Sequence, residues 1–373
     1  MTKITSVRAI PLAIPVRQES PSSPWTAGIA KQVLVRIDTD GGLTGWGEAF
    51  AYGAPLAVCD VIDETLAPAL VGEDPTRIEG LLDRLQRALM IWGRRGLGMF
   101  AIAGVDLALW DLAGKIVGAP VWQLLGGRAQ PRVRAYASML RYATPSEVGR
   151  VAAALAGRGF TGIKLHQTDV ESVAAARDAV GEDVDLMLDT NCPWTVEDAI
   201  AIARRLEPLG LRWLEEPVWP PEDYRGLARV RAATSIPIAG GENEATAFGF
   251  RAIVEADAVD IAQPSITKVG GLSEMRKVAA LVMAANVTLV PHAFYYGAGL
   301  AATVHFAIAT PGISYVEFPS IALEAPLSEP VRFADGWLTV GDRPGLGADP
   351  DPAVVARFAY RSDAARVFDL TSG

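Results

Sequence analysis

The stretch VDLMLDTNCPWTVEDAIAIARRLEPLGLRWLEEP, residues 184–217, decides how the chain is read. It opens on an apolar run that stops at Asp189, continues as an alanine-rich helical pattern, and closes on a second apolar run that stops at Glu215. A third run, SIPIAGGE, stops at Glu242. The three acids stand 26 and 27 residues apart, about one strand-plus-helix unit. In a barrel of parallel strands, that spacing sets all three carboxylates at one level on adjacent strands, at the ends where such barrels place their chemistry. Three hard oxygen ligands, with no cysteine or histidine among them, suit one Mg²⁺ per chain and leave positions open for substrate.

Outward from this stretch, strands are predicted at VRAYAS138, TGIKLH166, AVDIAQ263, VTLVPH292 and ISYVE317. With the first three runs they make eight, separated by helical segments such as SEVGRVAAALAG and LSEMRKVAALVMAA. That repeat predicts an α/β barrel rather than a doubly wound sheet. The pattern differs upstream. Residues 4–16 alternate as a strand, and QVLVRIDTDGGLTGWGEA gives two more, joined by a hairpin turn at Asp40-Gly41-Gly42. Apolar steps of three and four residues from about 56 to 125 are helical. The chain therefore divides into an α+β unit over residues 1–127, a barrel over 128–328 and a C-terminal segment over 329–373. That last segment has a strand-like RFADGWLTV and a Gly/Pro-rich DRPGLGADPD, and is expected to fold back over the first domain.

At 373 residues, half of them hydrophobic, the chain can bury a large core. A formal charge of −9 without Lys/Arg clusters argues against nucleic-acid or membrane partners. Cys59 and Cys192 belong to no metal-binding spacing, and the opening MTKITSVRAIPLAIP lacks a signal peptide's longer apolar core. Apolar stretches such as AALVMAANVTLV are too short to span a bilayer. A cytoplasmic homo-oligomer acting on a small-molecule carboxylate is the expectation.

The segment AGVDLALWDLAGKIVGAPVWQLLGG, followed in order by GIKLH, LDTN, LEEP, GGEN and TKVGG, resembles the mandelate racemase/muconate-lactonising branch of the enolase superfamily over essentially the whole chain. The resemblance implies a modified (β/α)7β TIM barrel under an α+β capping domain, with Mg²⁺ on Asp189, Glu215 and Glu242. It also implies removal of the proton α to a carboxylate. The resulting enediolate carries two negative charges, which a divalent cation stabilises while a Lys or His acts as base.

Lys164 and His166, two residues apart on one strand, face the barrel interior together. The family places a Lys-x-Lys motif there, which makes His166 the implied base and Lys164 the implied contact of the substrate carboxylate. His292 ends the seventh strand and matches a second acid/base catalyst. Its usual aspartate partner at the end of the sixth strand is here Ser265, so His292 is expected to be an unpaired imidazole and a better acid than base. Lys268 resembles a lysine that serves as base in the lactonising subgroup and ranks below His292, since it reads equally as a surface residue. Glu216 points away from the ligand set, and His305, in the middle of a helix, reads as packing. Asn191 is placed to meet a substrate hydroxyl and Glu317 a substrate carboxylate. Trp25, Tyr52, Phe294, Tyr295 and Tyr296 fall in loops over the barrel mouth, Trp25 and Tyr52 being named for substrate binding. Dehydration of a sugar acid is favoured. Racemisation, epimerisation or cycloisomerisation of a carboxylate or sugar-acid lactone is the alternative, and a non-catalytic binding protein on the same scaffold is the reading from a different class.

Overall fold

A computed structural model describes residues 2–17 and 28–361. The chain opens with three antiparallel strands, β1 (Ile4–Arg17), β2 (Ile29–Thr39) and β3 (Thr44–Ala49). Helices then follow to residue 124, the longest being Leu97–Val117. That helix lies against β3 because β3 carries Gly45 and Gly47, where any Cβ would collide with the helix backbone at Ala108 and Gly104. Leu97–Val117 is long and apolar enough to cross a membrane, unlike the stretches considered from sequence alone, but it is the buried core of this domain.

Eight parallel strands make the barrel: β4 (Val133–Ser138), β5 (Gly162–Leu165), β6 (Asp185–Asp189), β7 (Trp213–Glu215), β8 (Ile238–Gly240), β9 (Ile261–Ala262), β10 (Thr288–Leu289) and β11 (Tyr315–Pro319). Each pairs with the next from β4 to β10, and β11 pairs back onto β4. Several are shorter than their apolar runs, because the residues past the last ladder bond turn to deliver side chains to the mouth. A short strand β12 (Ala322–Leu323) then joins β1 in the first domain's sheet.

The C-terminal segment divides, which corrects the expectation that all of it returns to the first domain. Strands β13 (Val331–Ala334) and β14 (Trp337–Val340) form a hairpin, and β14 pairs antiparallel with β4 at Val133 and Arg134. The hairpin turns at Ala334-Asp335-Gly336, and Arg132 and Arg134 lie over the Trp337 ring, which ties it to the barrel. Residues 345–360 do run along the first domain, where the Leu346 amide donates to Asp111 and the Tyr360 amide to the Pro11 carbonyl.

Strand alternation sorts the barrel interior into layers. The lower layer is apolar: Tyr136, Met187, Trp213, Ala239, Ile261, Val290 and Tyr315. Gly162 completes it on β5, where a Cβ would press on Tyr136 at 3.0 Å. Two residues further along the same strands come Ser138, Lys164, Asp189, Glu215, Gln263, His292 and Glu317, all buried. On β8 that position is Gly241, whose φ of 109° turns the chain and presents Glu242 next. A hydrophobic floor thus carries a layer of charged and polar groups directly above it.

Candidate active site

The ligand atoms of Asp189, Glu215 and Glu242 lie within 4.8 Å of one another. Asp189 Oδ1 accepts from the backbone and side-chain nitrogens of Asn191, each at 3.0 Å. Glu215 Oε2 accepts from Trp213 Nε1 at 3.0 Å and Gln263 Nε2 at 2.8 Å. Glu242 Oε1 accepts from Lys268 Nζ at 2.8 Å. The Lys164 ammonium sits below, 3.2 Å from Asp189, 3.0 Å from Glu215 and 3.1 Å from Glu317.

Burial opposes ionisation of every one of these carboxyls. For Asp189, Lys164 and His166 more than offset it and hold the group below the usual carboxylate range. Glu317 is likewise brought to about 2, Lys164 and His292 outweighing burial. Glu215 instead rises to about 8: burial, opposed by Lys164, is reinforced by the charges of Asp189, Glu317 and Glu242. An all-oxygen donor set from three adjacent strands, crowded enough to push one member toward protonation, fits a divalent cation such as Mg²⁺. Glu216 stays outside this trio; its carboxylate accepts from Asn243 Nδ2 at 3.2 Å.

His166 Nδ1 lies 2.6 Å from the Met139 carbonyl, which can only accept, so the ring proton is on Nδ1. Neutral His166 then carries its lone pair on Nε2, 3.2 Å from Asp189 Oδ2. His292 is not the unpaired imidazole expected from Ser265. Its Nδ1 is 3.3 Å from the Tyr295 hydroxyl, which in turn contacts Ser265 Oγ. A Ser-Tyr pair thus occupies the place of the missing aspartate, with a hydroxyl where the family has a carboxylate. His292 Nε2 meets Glu242 at 3.1 Å and Glu317 at 3.5 Å. Burial depresses its pKa, with the two glutamates opposing.

A cavity of about 390 Å³ opens above the polar layer, between barrel and first domain. His166, Asp189, Asn191, Glu242, His292 and Glu317 line it from the barrel. Two lysines depart from their sequence readings. Lys164 has no exposed surface and does not line the cavity; three carboxylates draw its ammonium inward, so here it neutralises the layer rather than meeting a substrate carboxylate. Lys268 is not a surface lysine but is buried in the wall, over the Phe50 ring at 4.4 Å. Tyr52, Phe294, Tyr295 and Tyr296 line the cavity, whereas Trp25 lies outside the described residues. His305 is away from the cavity, accepting from the Trp122 amide and facing the Leu346 carbonyl.

Sequence reading missed Arg141, whose Nε donates to the His166 carbonyl at 2.7 Å, and the pair Gln32 and Glu48 on β2 and β3. Glu48 offered one signal: an acid inside the GWGEA strand that otherwise reads as buried.

Residues 6–126 match the mandelate racemase/muconate lactonizing enzyme N-terminal domain, and residues 147–354 the enolase C-terminal domain-like family. The chain is 35% identical over 376 residues to a D-galactarolactone cycloisomerase of Agrobacterium fabrum, covering 95% of this chain and 98% of that one. It is 37% identical over 342 residues to an arabinonate dehydratase of Saccharolobus solfataricus, covering 88% and 91%. Among solved structures, a racemase from Streptomyces coelicolor with bound magnesium superposes with a TM-score of 0.86 at 33% identity, over 96% of this chain and 100% of that one.

Proposed function

Because the chain belongs to the mandelate racemase/muconate-lactonising branch of the enolase superfamily, we propose that this enzyme removes the α-proton of a sugar acid and expels water from the neighbouring carbon. One observation carries the reading: imidazoles just after β5 and after β10 face one cavity beside a carboxylate trio. Asp189, Glu215 and Glu242 would hold Mg²⁺, and the bound ion supplies positive charge where the substrate carboxylate gains negative charge.

His166 takes the α-proton at Nε2, its Nδ1–H anchored on Met139 and its carbonyl held by Arg141. The C–H electron pair passes first into the substrate carboxylate, giving the enediolate, and then returns to form the α–β carbon–carbon double bond as the β-hydroxyl leaves. His292 gives that hydroxyl its proton, so the leaving group is water, and the enol becomes a 2-keto-3-deoxy acid. His292 delivers that proton from its imidazolium form, which burial disfavours and the facing Glu242 and Glu317 carboxylates favour. Lys164 keeps the carboxylate layer from repelling the substrate.

A second reading, ring opening of a sugar-acid lactone or anhydro acid, uses the same base and donor, with a ring oxygen in place of the hydroxyl. The relative at 35% identity is such a cycloisomerase. Product analysis separates the readings. Loss of water to a 2-keto-3-deoxy acid supports dehydration, a ring-opened isomer of equal mass supports cycloisomerisation, and an inverted substrate refutes both. Free Cys59 and Cys192 support placing the enzyme in a reducing cytoplasm, and the exposed Met90, Ile91, Trp92 and Leu97 support a homo-oligomer.

A further inference from the structure

The loop that follows β4 is laced to the end of β5, where the base stands. The Met139 amide donates to the Lys164 carbonyl at 2.9 Å, and the Met139 carbonyl faces His166 Nδ1. Tyr142 and the Gln167 side chain exchange two hydrogen bonds, at 2.9 and 3.0 Å. Between these contacts Arg141 donates from Nε to the His166 carbonyl at 2.7 Å. That bond asks only for a neutral donor, because its acceptor is a neutral carbonyl. The chain instead places a guanidinium there, a permanent charge with further N–H donors beyond Nε.

Arg141 is half-buried and lines the cavity together with His166 and Asp189. Burial lowers its pKa and the Asp189 charge opposes, so the guanidinium lies within reach of the metal-binding carboxylates' field. Holding a cation in a half-buried wall costs solvation, a cost that negative charge arriving in the cavity offsets. The other cations near the site are disposed differently. Lys164 has no exposed surface and does not line the cavity. Lys268 donates to Glu242 Oε1 at 2.8 Å and to Asn243 Oδ1 at 3.2 Å, and Lys31 lies over the Tyr360 ring. Among the described residues, Arg141 is the cavity-lining cation bonded to the base residue itself.

We infer that Arg141 is a further catalytic residue, its guanidinium donating to the substrate carboxylate on the side from which His166 removes the α-proton. As the C–H electron pair passes into that carboxylate, its oxygens gain charge. A fixed charged donor there stabilises the enediolate more than the substrate, which is what accelerates the step. Through Nε the same side chain ties the position of the base to the group whose charge it meets. This rests on the sugar-acid reading above and adds a residue to it.

The test uses purified, Mg²⁺-loaded enzyme and two readouts. One is exchange of the α-proton with D₂O over a panel of aldonates and aldarates. The other is calorimetric affinity for the hydroxamate of the acid that exchanges fastest, whose paired oxygens copy the enediolate and whose binding needs no base. Arg141→Gln should slow exchange by about a hundred-fold and weaken the hydroxamate by a similar factor, the size of one donor removed from a developing oxyanion, while KM for the acid changes less. Arg141→Lys keeps the charge without the planar fork and should fall between Arg141→Gln and the parent on both readouts. Gln167→Leu breaks the neighbouring loop bonds and should leave hydroxamate affinity near the parent's.

Slower exchange with unchanged hydroxamate affinity overturns the contact, because Arg141 then acts only through His166. Equal weakening of the hydroxamate by Gln167→Leu also overturns it, since loop order then accounts for the loss. Should Arg141→Gln fail to fold, Arg141→Lys decides, and parent-like hydroxamate affinity in that variant overturns the contact. No exchange by the parent on any of these acids overturns the sugar-acid reading, and the role of Arg141 falls with it.

Discussion

Two regions of this protein bury charge in different ways: the barrel mouth and the seam where the first domain meets the barrel and the C-terminal segment. At the seam every group is saturated. Asp111 accepts from the Trp46 and Leu346 amides and pairs with Lys115 at 2.8 Å. Asp106 takes both the hydroxyl and the amide of Ser273, and His305 bridges Trp122 and Leu346. At the mouth the carboxylates crowd one another and share two lysines and two imidazoles. Saturated burial marks a structural joint. Crowded, incompletely neutralised burial marks a site that expects something more, and perturbed groups gather at functional sites for that reason.

The largest expected difference between the regions is in activity. Asp189→Asn should abolish turnover, by about four orders of magnitude or more, because it removes one of three metal ligands. Its melting temperature in EDTA should stay close to the parent's, since Lys164 keeps Glu215 and Glu317. Chelation should silence the parent, and added Mg²⁺ should restore activity and raise the melting temperature. Full activity in excess EDTA would sink the metal assignment. His166→Ala should slow exchange of the substrate α-proton with D₂O by about three orders of magnitude, as expected for loss of a general base. Wild-type exchange in that variant would move the base elsewhere, with His292 next in line and Lys268 after it.

Asp111→Ala should show the reverse profile: a loss of about 3 kcal/mol in stability, from the Trp46 and Leu346 amides left without an acceptor while Lys115 keeps Asp349 and the Thr44 carbonyl, with kcat little changed in the folded fraction. Urea unfolding beside steady-state kinetics measures both. A stable, inactive Asp111→Ala enzyme would erase the distinction between seam and mouth.

How much of this was legible beforehand depends on how far apart the interacting residues are in the chain. The trio was legible because Asp189 and Glu215 end their strands and Glu242 follows its strand by two residues, so a local pattern with a nearly fixed repeat encodes its place. The helix signature around Asp106, Trp110 and Asp111 was legible as a motif, but its reason lies in Ser273 and Leu346, 167 and 235 residues away. Ser265 was read correctly as a missing carboxylate and wrongly as an absent partner, because Tyr295 fills the gap from the next loop. Lys268 looked like a surface residue since nothing local announces that Phe50 of the first domain covers it. The Glu48 contact with Gly299 spans 251 residues. Such contacts follow from how the two domains sit together, which no period along the strand or helix contains.

The smallest expected effect is also the finest test of the seam, because two of its groups respond to acid with opposite signs. Burial lowers His305 from its ordinary 6.5 to about 4, with the Leu346 contact opposing. The unfolded chain therefore takes up a proton between pH 6.5 and 4 while the folded one does not, and stability is lost as pH falls through that window. Asp106 is the mirror case, raised by burial from 3.8 to about 7 despite its Ser273 hydrogen bonds. The folded state holds that proton below pH 7 and the unfolded state releases it down to 3.8, so this contribution is lost as pH rises. Each is on the order of 3 kcal/mol over its full span, and between pH 6.5 and 4 they largely cancel in the parent. Single variants should uncover them. The stability advantage of the parent over His305→Gln should shrink as pH falls from 7 to 4, whereas its advantage over Asp106→Asn should grow over the same range. Urea midpoints at half-unit pH steps decide it. Two pH-independent differences would mean that neither group is held in the protonation state the saturated seam requires.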